Sequence, residues 1–195
     1  MKKFFNSIQI LCAGIGGRGV LLASTLLMDS AIRKDVYAIG SDEYGMSQRG
    51  GSVVSLVKVG KVKSPFIGKG NADIILGFEE SEFLRNLSYL KIGGIAVVNS
   101  PKETYESKVK EALNKRKISV YTLDADGIAR EGGLYQASNM AILGFFSSLN
   151  IEPFTYENLK GAILERLKGK MVEKNLLVFE RGFELGREIV QCMNL

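Results

Sequence analysis

The sequence predicts an α/β protein: a three-layer α/β/α domain with a mostly parallel sheet, one inserted antiparallel hairpin and a helical C-terminal third. Three observations carry this. Short apolar runs alternate with segments of helical spacing as far as Leu123. A glycine-rich turn, GIGGRG, follows the first of those runs directly. From Asp124 onward the apolar spacing is helical.

SIQILCA, Ser7 to Ala13, is a short apolar run that ends in glycines, which is the pattern of a buried first strand. Val20, Leu21, Ala23, Leu26, Leu27 and Ile32 then recur at helical spacing, so a helix is expected from near Gly17 to Lys34. VYAIG reads as a second strand. SVVSLVKVG and KVKSPFI read as two strands joined by a tight turn at Gly60–Lys61, an antiparallel pair whose second member, given Pro65, sits at an edge or ends early. ADIILGFE is a further strand, leading into a helix from Glu80 to about Leu90. GGIAVVNS is the next, ended by Pro101 and followed by a basic helix, and ISVYTLDA is the last. Helices are then expected over Asn139–Leu149, Thr155–Leu167 and Lys170–Cys192. Strands interleaved with helices in this way argue a largely parallel sheet covered on both faces.

Composition narrows the function. At 195 residues, with 46% hydrophobic and 24% charged residues, the chain fits one globular domain spanning residues 1–195. It has no apolar run of membrane-spanning length, and MKKFFNSIQILCAG runs into a glycine loop rather than a cleavage site, so a cytoplasmic location is expected. The formal charge of +5 is scattered, apart from Lys108 to Lys117, which reads as the solvated face of a helix rather than a nucleic-acid site. Cys12 and Cys192 lie in apolar surroundings and read as buried packing thiols.

The chain has no histidine, which excludes Ser–His and Cys–His nucleophiles and histidine metal sites. Two cysteines cannot supply the four thiolates of an iron–sulfur cluster. No Gly-Lys-Ser/Thr phosphate loop and no HExxH motif occurs. Neither a catalytic residue nor a metal site is assigned.

Two segments concentrate polar chemistry and backbone freedom. Gly14, Gly16, Gly17, Arg18 and Gly19 form G-x-G-x-x-G between a strand and a helix, a context in which backbone N–H groups approach an anion at the helix's positive end. Arg18 would add charge beside that anion. The alternative is that the glycines only let the first helix pack close to the sheet. A nicotinamide site also wants an acidic residue at the end of the second strand, and Asp42 and Glu43 fall slightly late for it.

The second segment is DEYGMSQRGG, Asp42 to Gly51, expected to leave the carboxyl edge of the second strand as a loop. Glu43 accepts hydrogen bonds, Ser47 and Gln48 donate and accept them, and Arg49 is a fixed fork for a carboxylate, phosphate or carbonyl. Gly45, Gly50 and Gly51 allow close backbone approach, and Met46 gives adaptable apolar contact. Active-site, cofactor-contact and subunit-docking roles remain open beside an internally satisfied loop with Glu43 paired to Arg49. The residue types speak for contact rather than proton transfer.

GIGGRGV, EYGMSQRGGSVVSLVKVG, SPFI, ADIILGFEESEFLRNLSYLKIGGIAVVN, NMAILG and NLLVFERGFELG together resemble, in order, the γ domain (domain III) of 2-oxoacid:ferredoxin oxidoreductases, the pyruvate/ketoisovalerate oxidoreductase γ family. The likeness runs from Gln9 to about Gly186, and GMSQRGG with its following strand is the most specific element. EYGMSQRGGSVVS is most similar to the small, β-subunit branch that serves indolepyruvate. Where many relatives of this kind carry GGQG, this chain has GGRG, with Arg18.

The resemblance implies a subunit needed for coenzyme A-dependent oxidative decarboxylation of a 2-oxoacid. Thiamine diphosphate, magnesium and [4Fe–4S] clusters would sit in a large partner subunit, ferredoxin would accept the electrons, and this chain alone would bind no cofactor. It implies an inter-subunit surface at Glu43–Gly51, with Gly14–Gly19 beside it as an anion site or a packing loop. No nucleic-acid or membrane partner is implied, and the isolated chain is open to pairing with itself. Asn139 in NMAILG reads as a helix cap or a ligand contact. A free-standing Rossmann-like nucleotide-binding domain and a scaffold that only seats a partner are the alternatives.

Overall fold

The computed structural model describes residues 7–44, 51–101, 105–169 and 171–193. Among them, β1 (Ile8–Ile15), β2 (Ala38–Tyr44), β3 (Ser52–Val59), β4 (Ala72–Gly77), β5 (Leu90–Asn99) and β6 (Ser119–Leu123) form one sheet in the order β2-β3-β1-β4-β5-β6. β4, β5 and β6 run parallel to β1, whereas β3 runs antiparallel to both β1 and β2.

Alternation along the strands separates two cores. Ile10, Cys12, Val57, Ile74, Leu76 and Val97 face one helical layer, built from α1 (Val20–Ile32), α4 (Ala125–Glu131), α5 (Ser138–Ser148), α6 (Tyr156–Arg166) and α7 (Met171–Met193). Leu11, Ala13, Leu56, Ile75, Ala96 and Val98 face α2 (Glu80–Asn86) and α3 (Ser107–Lys115), which contribute Phe83 and Leu113. The expected three layers are present, and α4 is a short helix that the sequence reading did not separate out.

The hairpin is real but made of different strands. KVKSPFI forms no strand; β3 instead pairs with β2 from Ala38↔Val59 to Tyr44↔Val53, and with β1 from Ile8↔Val59 to Ile15↔Ser52. β3 is therefore flanked on both sides, and Pro65 lies in a connection that is anchored by the fully buried Ile67 before β4 begins. A strand with both edges already paired has no edge left for the segment that follows it.

α5 is buried from Ser138 to Ser147, the environment of a helix apolar on all sides. It lies against α7 at glycines. A Cβ on Gly144 would run into the Phe179 carbonyl, and one on Gly182 into the Ala141 backbone. The two helices approach closely because neither carries a side chain there. Gly144→Ala should therefore cost about 1–3 kcal/mol by overpacking, seen as a fall in Tm of roughly 2–4 °C per kcal/mol.

Cys12 is fully buried in β1, and burial, followed by the charge of Asp42, pushes its thiol pKa upward. Cys192, which the sequence reading also buried, is exposed on α7. It continues the helical spacing of Leu185 and Ile189, which pack against the core, but stands at the exposed end of α7. A thiol reagent at pH 8 should modify Cys192 alone in the native chain and reach Cys12 only after denaturation. Equal labelling of both under native conditions would contradict this packing.

Candidate functional site at the carboxyl edge of the sheet

The direction in which successive strands are added reverses at β1. The β1–α1–β2 connection moves to one side and β4 starts the other, so the carboxyl ends of β1 and β4 flank a topological switch point, where open α/β sheets place their sites. β2 runs in the same direction as β1, so its carboxyl end and the start of β3 share this edge. The glycine loop and Gly51, the described end of the second segment, are thereby brought together.

They touch directly. The Gly16 N–H donates to the Gly51 carbonyl at 3.0 Å, and the Arg18 N–H turns back to the Ile15 carbonyl at 3.2 Å. Gly17 and Gly19 have φ of 92° and 71°, the left-handed region that favours glycine. Gly14 is needed for a different reason: a Cβ there would stand 2.8 Å from the Val20 Cγ2 and 3.0 Å from the Phe78 Cβ.

Arg18 does not hang free beside an anion. Its Nη1 donates to Asp126 at 2.7 Å and its Nη2 to Glu79 at 3.1 Å, with the side chains of all three 22–32% exposed. Burial alone would lower the Arg18 pKa, but the charges of Asp126 and Glu79 outweigh it and the net shift is upward. The guanidinium thus keeps its charge and spends its fork on two carboxylates.

A second tier supports these partners. Asn99 at the end of β5 donates to Asp126 at 3.2 Å and to the Phe78 carbonyl at 3.4 Å, and accepts from the Ala125 N–H at 3.0 Å. Asp124 caps α4 by accepting from the Gly127 N–H at 2.7 Å. Glu82 of α2, 3% exposed, accepts from the Ser52 hydroxyl at 2.6 Å and from Arg85 at 2.6 Å. A buried carboxylate held by a hydroxyl and a guanidinium fixes structure more readily than it moves protons.

Glu79, Glu82, Asn99, Asp126 and Ser52 were not singled out in the sequence. The available signal was positional: Glu79, Asn99 and Asp126 each stand within a few residues of the end of an apolar strand. Asp42 and Glu43 correct an expectation, since both lie on β2 rather than in a loop. Asp42 there accepts from the Ser55 hydroxyl of β3, and Glu43 is exposed. Strand pairing with β3 as far as Tyr44 wins over the polar composition of the segment. Gly45, Met46, Ser47, Gln48, Arg49 and Gly50, and hence the Glu43–Arg49 pair, lie outside the described residues.

Asn139 is not a cap either, because α5 begins at Ser138. The buried amide Nδ2 donates to the Gly19 carbonyl at 3.2 Å while its Oδ1 accepts from the Met140 N–H. The glycine loop is therefore held from α5 as well, and a Cβ on Gly19 would collide with Asn139.

Fold and edge define a class: an open three-layer α/β domain whose switch-point edge carries a network of internally paired polar groups. The family model for pyruvate ferredoxin/flavodoxin oxidoreductase matches residues 9–185. The indolepyruvate oxidoreductase subunit IorB of Archaeoglobus fulgidus is 30% identical, over 90% of this chain and 94% of its own length. The keto/oxoacid ferredoxin oxidoreductase γ subunit of Geobacter sulfurreducens superposes with a TM-score of 0.72 at 25% identity, over 92% of this chain and 98% of that one. The 2-oxoglutarate:ferredoxin oxidoreductase of Magnetococcus marinus shares the fold, with a TM-score of 0.77 at 19% identity, over 94% of this chain but 32% of that longer one.

The chain belongs to the pyruvate ferredoxin/flavodoxin oxidoreductase family. Within it, it is of the small-subunit type of 2-oxoacid:ferredoxin oxidoreductase.

Gly19→Ala combines a left-handed backbone with the Asn139 collision, so it should lose about 1–3 kcal/mol in a denaturant titration. Asn139→Ala should relieve part of that loss in the double variant, a coupling that vanishes if the two residues do not meet.

Proposed function

We propose that this chain is the thiamine-free small subunit of an arylpyruvate:ferredoxin oxidoreductase, with indolepyruvate as the preferred 2-oxoacid, and that it turns over only when assembled. The observation that carries the reading is the junction of the Gly16 loop with Gly51 at the switch point, surrounded by polar groups paired with one another. Such a surface is suited to seat and orient a neighbouring chain. Similarity to the IorB subunit supports the substrate class.

Arg18, Glu82, Asn99 and Asp126 are engaged in the brace, so acid–base work is assigned elsewhere. The described residues contain no group of three metal-ligating side chains. The two cysteines stand far apart in the sequence, in β1 and α7, and do not make a cluster's four-thiolate set. In the assembled enzyme, thiamine diphosphate with magnesium would supply carbanion stabilisation, [4Fe–4S] clusters would carry electrons towards ferredoxin, and coenzyme A would take the acyl group. This chain's share is positional. Glu43 to Gly51 would form the contact near the thiamine site or the coenzyme A path, with Gln48 and Arg49 meeting polar groups across it.

The free-standing nucleotide-binding alternative is disfavoured by the loop itself. Its Gly16 and Arg18 N–H groups already have carbonyl partners, and the Arg18 side chain is occupied by carboxylates.

The test is reduction of ferredoxin or a viologen dye by the purified large subunit, with and without this chain, using indolepyruvate, phenylpyruvate and pyruvate plus coenzyme A. Activity should appear only with both chains, and indolepyruvate should lead. Arg49→Ala should weaken assembly or turnover by about tenfold, the order of one charge-assisted contact across an interface, without shifting Tm. Equal activity of the large subunit alone would end the proposal.

A further inference from the structure

We infer that Arg18 is a positioning residue: it locks the glycine loop so that the Gly16 N–H fixes Gly51, the point at which the chain re-enters the sheet after the contact segment. The inference rests on the reading of that segment as a partner-facing surface. It replaces the anion-cradle role that the G-x-G-x-x-G spacing suggests.

The argument follows the bonds. Arg18 lies between Gly17 and Gly19, both in left-handed backbone, so the turn has little stiffness of its own. Its guanidinium ties that turn to Glu79, just beyond β4, and to Asp126 in the first turn of α4. Asn99 from β5 holds Asp126 on its other oxygen, which fixes the anchor as well as the anchored group. Asn139 of α5 fastens the Gly19 carbonyl. Loop residues 16–19 are thus pinned from the segment after β4, from α4 and from α5, and the Gly16 N–H reaches Gly51 just before β3.

The next residue has its own hold. The Ser52 hydroxyl donates to the buried Glu82, which Arg85 also engages. Gly51 and Ser52 are therefore fixed from two elements on opposite faces of the sheet, α1's leading loop and α2. Against an anion site stands the charge balance. Glu79 and Asp126 already face the one cation of the loop, so a phosphate would have to displace a carboxylate or be repelled by it.

The experiment is amide hydrogen exchange by NMR on the full chain, comparing Arg18→Gln and Arg18→Lys with the unsubstituted protein, alongside the affinity of each for the large subunit. Arg18→Gln should speed exchange at Gly16 by about tenfold or more, with Ile75 and Val97 in the core strands unchanged. Arg18→Lys, which keeps the charge but not the fork, should recover part of the protection. Affinity for the large subunit should fall about tenfold in Arg18→Gln and partly return in Arg18→Lys.

Unchanged exchange at Gly16 would overturn the clamp. Faster exchange with undiminished partner affinity would reduce it to a packing device and overturn the positioning role. A pyrophosphate titration gives a third route: saturable shifts at Gly17 and Gly19 that disappear in Arg18→Gln would make Arg18 an anion ligand instead. Failure of the unsubstituted chain to bind the large subunit would count against the subunit proposal, whereas the exchange comparison reads the clamp in the chain alone.

Discussion

The architecture depends on the two different neighbours of β1. On one side it pairs in parallel with β4, the arrangement that requires a helix crossover and puts strand carboxyl ends together. On the other it pairs antiparallel with β3, which brings the start of β3 back to that same edge. Without the antiparallel neighbour, the segment after β2 would not return beside the glycine loop. The Gly16–Gly51 bond is the consequence of that topology.

This constraint explains an apparent contradiction in the chain. A fingerprint associated with dinucleotide binding is present in the expected strand–loop–helix context, yet its one cation is paired with Glu79 and Asp126. The glycines are used for geometry: Gly14 for the approach of Val20 and Phe78, Gly19 for a left-handed turn against Asn139. A spacing motif reports backbone shape. Whether that shape holds a ligand is decided by side chains far away in sequence.

The same distinction sets what the sequence made legible. β1, α1, β4 and the C-terminal helices carry apolar periodicity, and their positions follow from it. The extension of β2 through Asp42 and Glu43 was hidden because an exposed strand keeps its polar residues, and polar residues after a glycine read as a loop. The absence of a strand at KVKSPFI was hidden for a topological reason, since alternation cannot reveal that both edges of β3 are already taken. Arg18 was visible, but its partners lie 61 and 108 residues away and nothing local announces them. Asn139 stands inside the first turn of α5, where its side chain accepts from the Met140 N–H and also holds the Gly19 carbonyl, a contact that nothing local in the sequence announces.

On the proposed reading, the switch-point edge is the face that this chain would offer to a larger partner subunit. Hydrogen–deuterium exchange of the chain, free and in the purified complex, tests it most directly. Exchange should slow at Gly16–Val20, around Gly51–Val53 and at the start of α2, by about fivefold or more, with the basic outer face of α3 unaffected. Protection confined to α3 or to the outer face of α7, with the switch-point edge unchanged, would place the docking face elsewhere.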